Sequence, residues 1–359
     1  MNMAKKVVLL VGTKKGLFVA ESAAARKDWD IRGPFCDAWP VNHAAYDAKS
    51  GTIFATGLNA WYGPAIWKST DLGQTWTHSS EGLTYGEGED PIAAVWLIKP
   101  AGDVIYAGVE PAGLFKSLDG GDTWEHVRGL RDTPTRPHWQ PGGGGLMVHT
   151  MEVDPRDPNH LYVGISVAGV LESRDGGATW EPRNEGIEFD APAEVPGISN
   201  CAHHFELDKV NPDVMFQQSH SGMFISKDAG ATWTRVEAGL PSSFGFPAVA
   251  HPRKSGSYFI APLNGDQVGR YMPDASTAFY RTDDFGSTWR ALRNGLPQEN
   301  AYFGVLRQAM AADSFEPAGV YAGTSTGHLF ASADEGESWS EMASYFPSIS
   351  SVEAAVIDS

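Results

Sequence analysis

Residues 116–124 read KSLDGGDTW, and the same frame, Ser/Thr-x-Asp-x-Gly-x-Thr/Ser-Trp, returns along the chain. It stands as KSTDLGQTW at 68–76, ESRDGGATW at 172–180, ISKDAGATW at 225–233, RTDDFGSTW at 281–289 and ASADEGESW at 331–339. The six tryptophans lie 48 to 56 residues apart. Self-similarity at that period marks a propeller or a solenoid. Each unit reads as four short strands separated by turn residues. In the second unit these are AAVWLIKP, DVIYAGV, GLFKSLD and TWEHV, here called A to D, with the frame on the C–D hairpin.

The N-terminal stretch VVLLVGTKKGLFVAES aligns with strands B and C of the second unit, and WDIRGP (29–34) supplies a strand D without the frame. The missing strand A stands at the other end of the chain, as SVEAAVID (351–358). The sequence therefore predicts one all-β unit over 1–359, a seven-bladed β-propeller whose last blade is made from both termini. Such closure removes free sheet edges. Six blades, with the terminal strands packed at an edge, is the alternative.

The six frames match the Asp-box, or BNR repeat, so the chain resembles the Asp-box β-propeller superfamily. That group includes sialidases, some glucan hydrolases, sortilin-type receptors and a photosystem II assembly factor. The resemblance covers the whole chain and implies the fold. It also implies hydrolase chemistry on a sugar-like substrate, though a fold does not fix a function. A sialidase would further need an arginine cluster for a substrate carboxylate, for which Arg131, Arg136, Arg270 and Arg307 are available. The Arg-Ile-Pro signature of sialidases is absent.

Within each frame the aspartate accepts hydrogen bonds from its own turn, the glycine permits a positive φ, and the tryptophan covers the hairpin. The frames are fasteners, and any chemistry lies elsewhere. Propeller topology puts A–B and C–D turns on one face and D–A and B–C connections on the other, at the funnel mouth. The A–B turns are short. The D–A connections are long, notably 131–149 and 188–204, and long loops on a rigid scaffold are where binding sits.

A formal net charge of −17 argues against nucleic acid and membrane partners and suits a neutral or cationic ligand. The apolar run Val7–Val11 is too short for a signal peptide, and two cysteines, Cys36 and Cys201, make no disulfide framework. The expectation is a cytoplasmic protein.

Seven of eleven histidines fall on the mouth side: His43, His138, His149, His203, His204, His220 and His328. Registering strand A on its last residue (Asp47, Lys99, Asp154, Asp208, His251) puts Asn42, His149 and His203 at one level. Gln308 and Glu353 join by a looser placement. His43 and His204 follow one position on. B–C loops add Asn59, Trp61, Tyr62, Glu110 and His220. Polar residues thus ring the mouth. Glu110, His149, His203 and Glu353 are the catalytic candidates. Asn42, Asn59, Trp61, Tyr62, Arg307, Gln308 and His220 are the candidates for binding a small-molecule or carbohydrate ligand. If His43, His149, His203 and His204 converge, they would hold a divalent metal, Zn, Fe, Cu or Mn, with Glu110 or Glu353 as base, which would make the protein a metal-dependent hydrolase, lyase or oxygenase. The other reading is a metal-free polar pocket, or a scaffold that binds a partner across its top. A glycosidase needs two carboxylates about 5–10 Å apart, and Glu110, Glu353, Asp37, Glu87, Glu89 and Asp90 are eligible.

Overall fold

The computed structural model describes residues 4–187, 197, 198 and 200–358. The predicted connection 188–204 therefore lies partly outside the described residues. Seven four-stranded antiparallel sheets form the molecule. Their A strands are Ala44–Asp47, Ala94–Ala101, Val148–Val153, Ala202–Leu207, Gly245–Ala250, Met310–Ala312 and Ile349–Asp358, heading blades 1 to 7 in that order. Successive A strands contact one another and close a ring around a central channel. Among the described residues, helix is confined to three-residue 3-10 turns, and no helix is long and apolar enough to cross a membrane.

Blade 7 is the predicted composite. Ile349–Asp358 pairs with Lys5–Thr13, with Leu10 opposite Glu353 and Lys5 opposite Asp358, and Gly16–Ala23 and Asp30–Phe35 complete it. The six-bladed alternative is thereby excluded.

The recurrent frame forms the C–D turn through four bonds. Ser117 Oγ donates to Asp119 Oδ1 at 2.7 Å and accepts the Gly121 N–H at 2.8 Å. The Asp119 carboxylate accepts the Thr123 N–H at 3.0 Å and its hydroxyl at 2.6 Å. The Thr75 and Thr179 hydroxyls and amides do the same for Asp71 and Asp175 and hold both carboxyls down at about 2. The residue before the turn glycine is left-handed even where it is not glycine: Leu72, Ala229, Phe285 and Glu335 have φ of 55, 56, 60 and 60°. Two consecutive positive φ values give the turn hand that matches strand twist.

The tryptophans do more than cover their own hairpins. The Trp124, Trp233 and Trp339 N–H groups donate to the Glu81, Glu185 and Asn294 carbonyls of the preceding blade at 2.9, 2.8 and 2.9 Å. Trp233 and Trp289 also send their indole N–H to the Arg183 and Val236 carbonyls, again one blade back. Apolar faces interlock in the same way: Phe54 and Ile66 of blade 1 pack with Val95, Phe115 and Trp124 of blade 2. The motif therefore fastens blade to blade as well as strand to strand.

Candidate active site

Alternation along a strand points every second A-strand residue at the channel. Five A strands carry a β-bulge at the head, between Val95 and Leu97, Val148 and Thr150, Ala202 and His204, Gly245 and Ala248, and Ile349 and Ser351. Each bulge adds one residue and re-aims the side chains beyond it. Below the bulges the channel holds a cavity of ≈ 180 Å³, lined by His43, Tyr46, Lys99, His149, Glu152, His204, Glu206, Gln308 and Glu353 among others. That volume is below the usual range for drug-sized ligands, about 300–1,000 Å³.

Five predicted residues meet here: His43, His149, His204, Gln308 and Glu353. His149 Nδ1 lies 3.1 Å from Thr150 Oγ1, which lies 3.3 Å from His204 Nδ1. His43 Nδ1 accepts the Ile98 N–H at 3.3 Å. Gln308, on blade 6, donates to the His149 carbonyl on blade 3 across the ring. The cavity lining reaches from His43 and His149 at the strand heads to Lys99 and Pro100 near the A–B turns.

The remaining candidates lie outside this cavity. His203 turns its Nδ1 to the Gly245 carbonyl at 2.6 Å and packs against Phe244, Phe246 and His220. Glu110 accepts the Trp96 indole N–H at 2.8 Å. Asn42 donates to the Val95 carbonyl and accepts from Lys14 Nζ. Asn59 Oδ1 accepts the Trp61 and Tyr62 N–H groups, which presents both rings to solvent at the rim, 91 % and 82 % exposed. Arg307 stands on the mouth side, stacked on Phe246. Of the four histidines offered as metal ligands, His43, His149 and His204 line the cavity and His203 stands outside it. Among the described residues, no group of three or more His, Cys, Asp or Glu side chains is arranged to hold a metal ion.

Three charged cavity groups lie outside the expectations from sequence, Lys99, Glu152 and Glu206, with Lys209 beside Glu206. Lys99 Nζ donates to Glu152 Oε1 at 3.0 Å. Glu206 Oε2 accepts the Ala250 N–H at 3.0 Å and lies 3.3 Å from Lys209 Nζ, while Oε1 lies 3.7 Å from His204 Nε2. The signal was present: Glu206 stands two residues after His204, and Glu152 two after Thr150, the period of one strand face.

The carboxylates are treated differently by these surroundings. Burial alone would raise Glu206, but Lys209 and His204 outweigh it and hold the carboxyl below its ordinary range. Glu353 has the burial and no comparably close cation. Burial pushes it up to about 7, with Lys99 opposing and Glu206 reinforcing. Burial, aided by Lys99, pushes His43 down to about 3, and burial with Arg307 depresses His149 strongly, so both rings are neutral near pH 7. His149 Nε2 is buried and has no hydrogen-bond partner. The cavity thus offers Glu206 held ionised, Glu353 raised to about 7, Glu152 paired with Lys99, and the neutral imidazoles of His43 and His149.

No family model matches the chain. Among curated proteins, it is 24% identical over 279 residues to a xyloglucanase from Paenibacillus sp, covering 70% of this chain and 26% of that protein. It is 27% identical over 208 residues to a sialidase from Bacteroides fragilis (strain YCH46), covering 52% of this chain and 34% of that protein. The chain thus spans a quarter to a third of these relatives. Among solved structures, a GH74 enzyme from Niastella koreensis superposes with a TM-score of 0.59 at 17% identity, covering 97% of this chain and 52% of that one. YCF48 from Cyanidioschyzon merolae superposes at 0.54 and 14% identity, covering 84% of each chain. At these identities the structural likeness establishes the seven-bladed propeller, and the function must be argued from the cavity.

Proposed function

We propose that the chain is a glycosidase-like hydrolase that takes a small sugar-like ligand into the channel cavity. In this reading Glu353 is the general acid and Glu206 its ionised partner. One observation carries it: of the three carboxyl groups that line one small cavity, Glu206 has Lys209 and His204 beside it and is held below its ordinary range, while burial raises Glu353. Carboxyl groups with their acidities pushed apart are what acid–base hydrolysis of a glycoside uses. Protonated Glu353 gives its proton to the departing glycosidic oxygen. Glu206 stabilises positive charge developing on the sugar ring and assists the attack that completes the reaction. The neutral rings of His43 and His149 and the amide of Gln308 hydrogen-bond hydroxyl groups. The sugar-acting names of the matched relatives support the reaction class, and the six Ser-x-Asp-x-Gly-x-Thr-Trp turns support membership of the Asp-box group. The substrate itself is left open by both.

A second reading, a scaffold that docks a partner, draws on exposed aromatics at the rim: Trp61, Tyr62, Tyr302 and Tyr345, the last 94 % exposed. A panel of fluorogenic glycosides, a sialoside and xyloglucan oligosaccharides included, separates the two. Turnover of at least one member is expected, falling as pH rises through about 7, where Glu353 loses its proton. Glu353→Gln is expected to lower kcat roughly 10²–10⁴-fold, the usual worth of a general acid. A Glu353→Gln enzyme as active as the parent, or no turnover anywhere in the panel, overturns the hydrolase reading and leaves the scaffold.

A further inference from the structure

The two ends of the channel cavity are built differently. At the strand heads the residues are buried: Asn42 of blade 1, Ala94 of blade 2, His149 of blade 3, and Ser350 and Ser351 of blade 7. At this level the Gln308 side chain reaches across the ring to the His149 carbonyl, and its own carbonyl accepts the Val352 N–H at 2.7 Å. A side chain tied in this way stands in the path of a ligand arriving from the mouth.

Toward the other end the A strands run into the short A–B turns, and exposure rises. Pro100, next to last in its strand, lines the cavity. Tyr46 lines it too, and its hydroxyl reaches the A–B turn of blade 1, where a Cβ at Gly51 would stand 3.8 Å away. The Lys99 side chain is 29 % exposed, and that of Lys209, just past the A strand of blade 4, is 40 % exposed. A long stem with its ammonium turned to water is how lysine sits at an opening.

Charge gathers at this same level. Glu152, Glu206 and Glu353 are each the fifth residue of their A strands, and Lys99 is the sixth of its own. Lys99 Nζ lies 3.0 Å from Glu152 and Lys209 Nζ 3.3 Å from Glu206. Both ammonium groups therefore already carry a carboxylate. An incoming anion would have to displace Glu152 or Glu206 and leave a partly buried carboxylate unpaired, which is costly. A neutral group meets no such cost, and a cation gains the third carboxyl, Glu353.

We propose that the cavity is a pocket entered from the A–B face, with the Lys99–Glu152 and Lys209–Glu206 pairs as its rim, and that it admits an uncharged or cationic ligand group and turns anions away. The entry route stands apart from the hydrolase reading. One consequence does rest on that reading: the bond cut is at a chain end, because ≈ 180 Å³ is the space of about six waters at ~30 Å³ each, enough for one sugar ring.

Thiol labelling of the full chain tests the route without an assay of turnover. Cys36 and Cys201, both buried, are replaced by alanine, and Val352, which lines the cavity, by cysteine. The probes are two methanethiosulfonates, the cationic aminoethyl and the anionic sulfonatoethyl reagents, each with its rate referred to that on free cysteine. Labelling of the folded Val352→Cys protein is expected, with the cationic reagent favoured roughly tenfold or more. Lys209→Trp, at an exposed position, is expected to slow labelling roughly tenfold or more, because a large ring fills the opening. Lys14→Trp, at the mouth beside Asn42, is expected to leave the rate nearly unchanged. If Val352→Cys does not fold, Met310→Cys puts the thiol on the same cavity wall. The proposal is overturned if the thiol is not labelled in the folded protein, if Lys14→Trp slows labelling as much as Lys209→Trp does, if neither slows it, or if the anionic reagent reacts as readily as the cationic one. Glu353→Gln is expected to keep the Lys209→Trp effect, so a failed hydrolase reading and a failed entry route give different results.

Discussion

Glu353 illustrates how one residue can be costly to the fold and useful to the cavity. Its carboxyl is pushed from an ordinary 4.5 to about 7, chiefly by burial. Ionising it in the folded protein therefore costs about 3 kcal/mol more than in the unfolded chain. The sign comes from the raised value. Below pH 4.5 the group is protonated in both states and costs nothing. Between 4.5 and 7 the penalty grows, and above 7 it is complete. Glu353→Gln, uncharged at every pH, is expected to be more stable than the parent at about pH 8, by about 2 kcal/mol after allowing for partial solvation, and no different at about pH 4. Urea unfolding at the two pH values measures this. A variant equally stable, or less stable, at the higher pH would mean that Glu353 has an ionic partner in the cavity. The gain in stability would accompany the loss of turnover, a trade common where a strained group serves function.

At the scale of the element, the blade-to-blade joint carries the clearest test. Gly82, Gly186 and Gly295 each follow a D strand, with φ of 80, 88 and 87°, and a Cβ there would stand 2.0, 2.2 and 2.0 Å from the carbonyl oxygen of the next blade's tryptophan. Gly239 has φ of 90° as well, but no atom lies within 4 Å of its Cβ position. Alanine at Gly239 should cost only the left-handed penalty, about 1–2 kcal/mol. Alanine at Gly186 should cost that and the joint besides, about 3–5 kcal/mol in all. Equal losses in denaturant unfolding would show that backbone conformation alone sets the penalty and that the joint is idle. The sequence displays half of this device. The frame is legible because its turn needs a hydroxyl, a carboxylate and a glycine at fixed offsets, and each substitution would cost hydrogen bonds. The Glu-Gly-Leu and Glu-Gly-Ile stretches at 81–83 and 185–187 are less legible, because their glycines answer to atoms in another blade. The cavity was half visible for a similar reason. Strand heads are easy to register, and they yielded His43, His149 and His204. The bulges and the alternation below them, which bring in Glu152 and Glu206, depend on pairing with the neighbouring strand. His203 shows the limit: it sits beside His204 in sequence, and alternation turns it to the other side.

For the whole molecule, closure is what makes seven separate sheets one body. Ile349–Asp358 is the inner strand of blade 7, and its neighbours in the ring are the A strands of blades 6 and 1. It supplies Val352 and Glu353 to the cavity and, through the Val352 N–H to Gln308 carbonyl bond at 2.7 Å, anchors the segment that bridges the channel. Without it, Lys5–Thr13 would present an open edge lined by Val7, Val8, Leu9, Leu10 and Val11, all buried in the closed ring. A long apolar edge is a template for aggregation. Deleting residues 349–358 is therefore expected to give an associating protein with no cooperative transition. Connectivity, by contrast, should matter little. Lys5 and Asp358 face each other in the ladder, so a short Gly/Ser linker can join them as an ordinary A–B turn. New ends can be opened between Gly102 and Asp103, in the exposed A–B turn of blade 2. That permutant moves the composite blade from one place in the ring to another while keeping every strand pair. It is expected to remain monomeric and to unfold within about 1–2 kcal/mol of the parent, as permutation at exposed turns generally allows. Size-exclusion chromatography and denaturant unfolding of both variants decide the matter. A deletion variant that stays monomeric and melts like the parent would mean that the ring holds without its clasp. A permutant that fails while the deletion survives would place the essential contact at the chain order rather than at the strand pair.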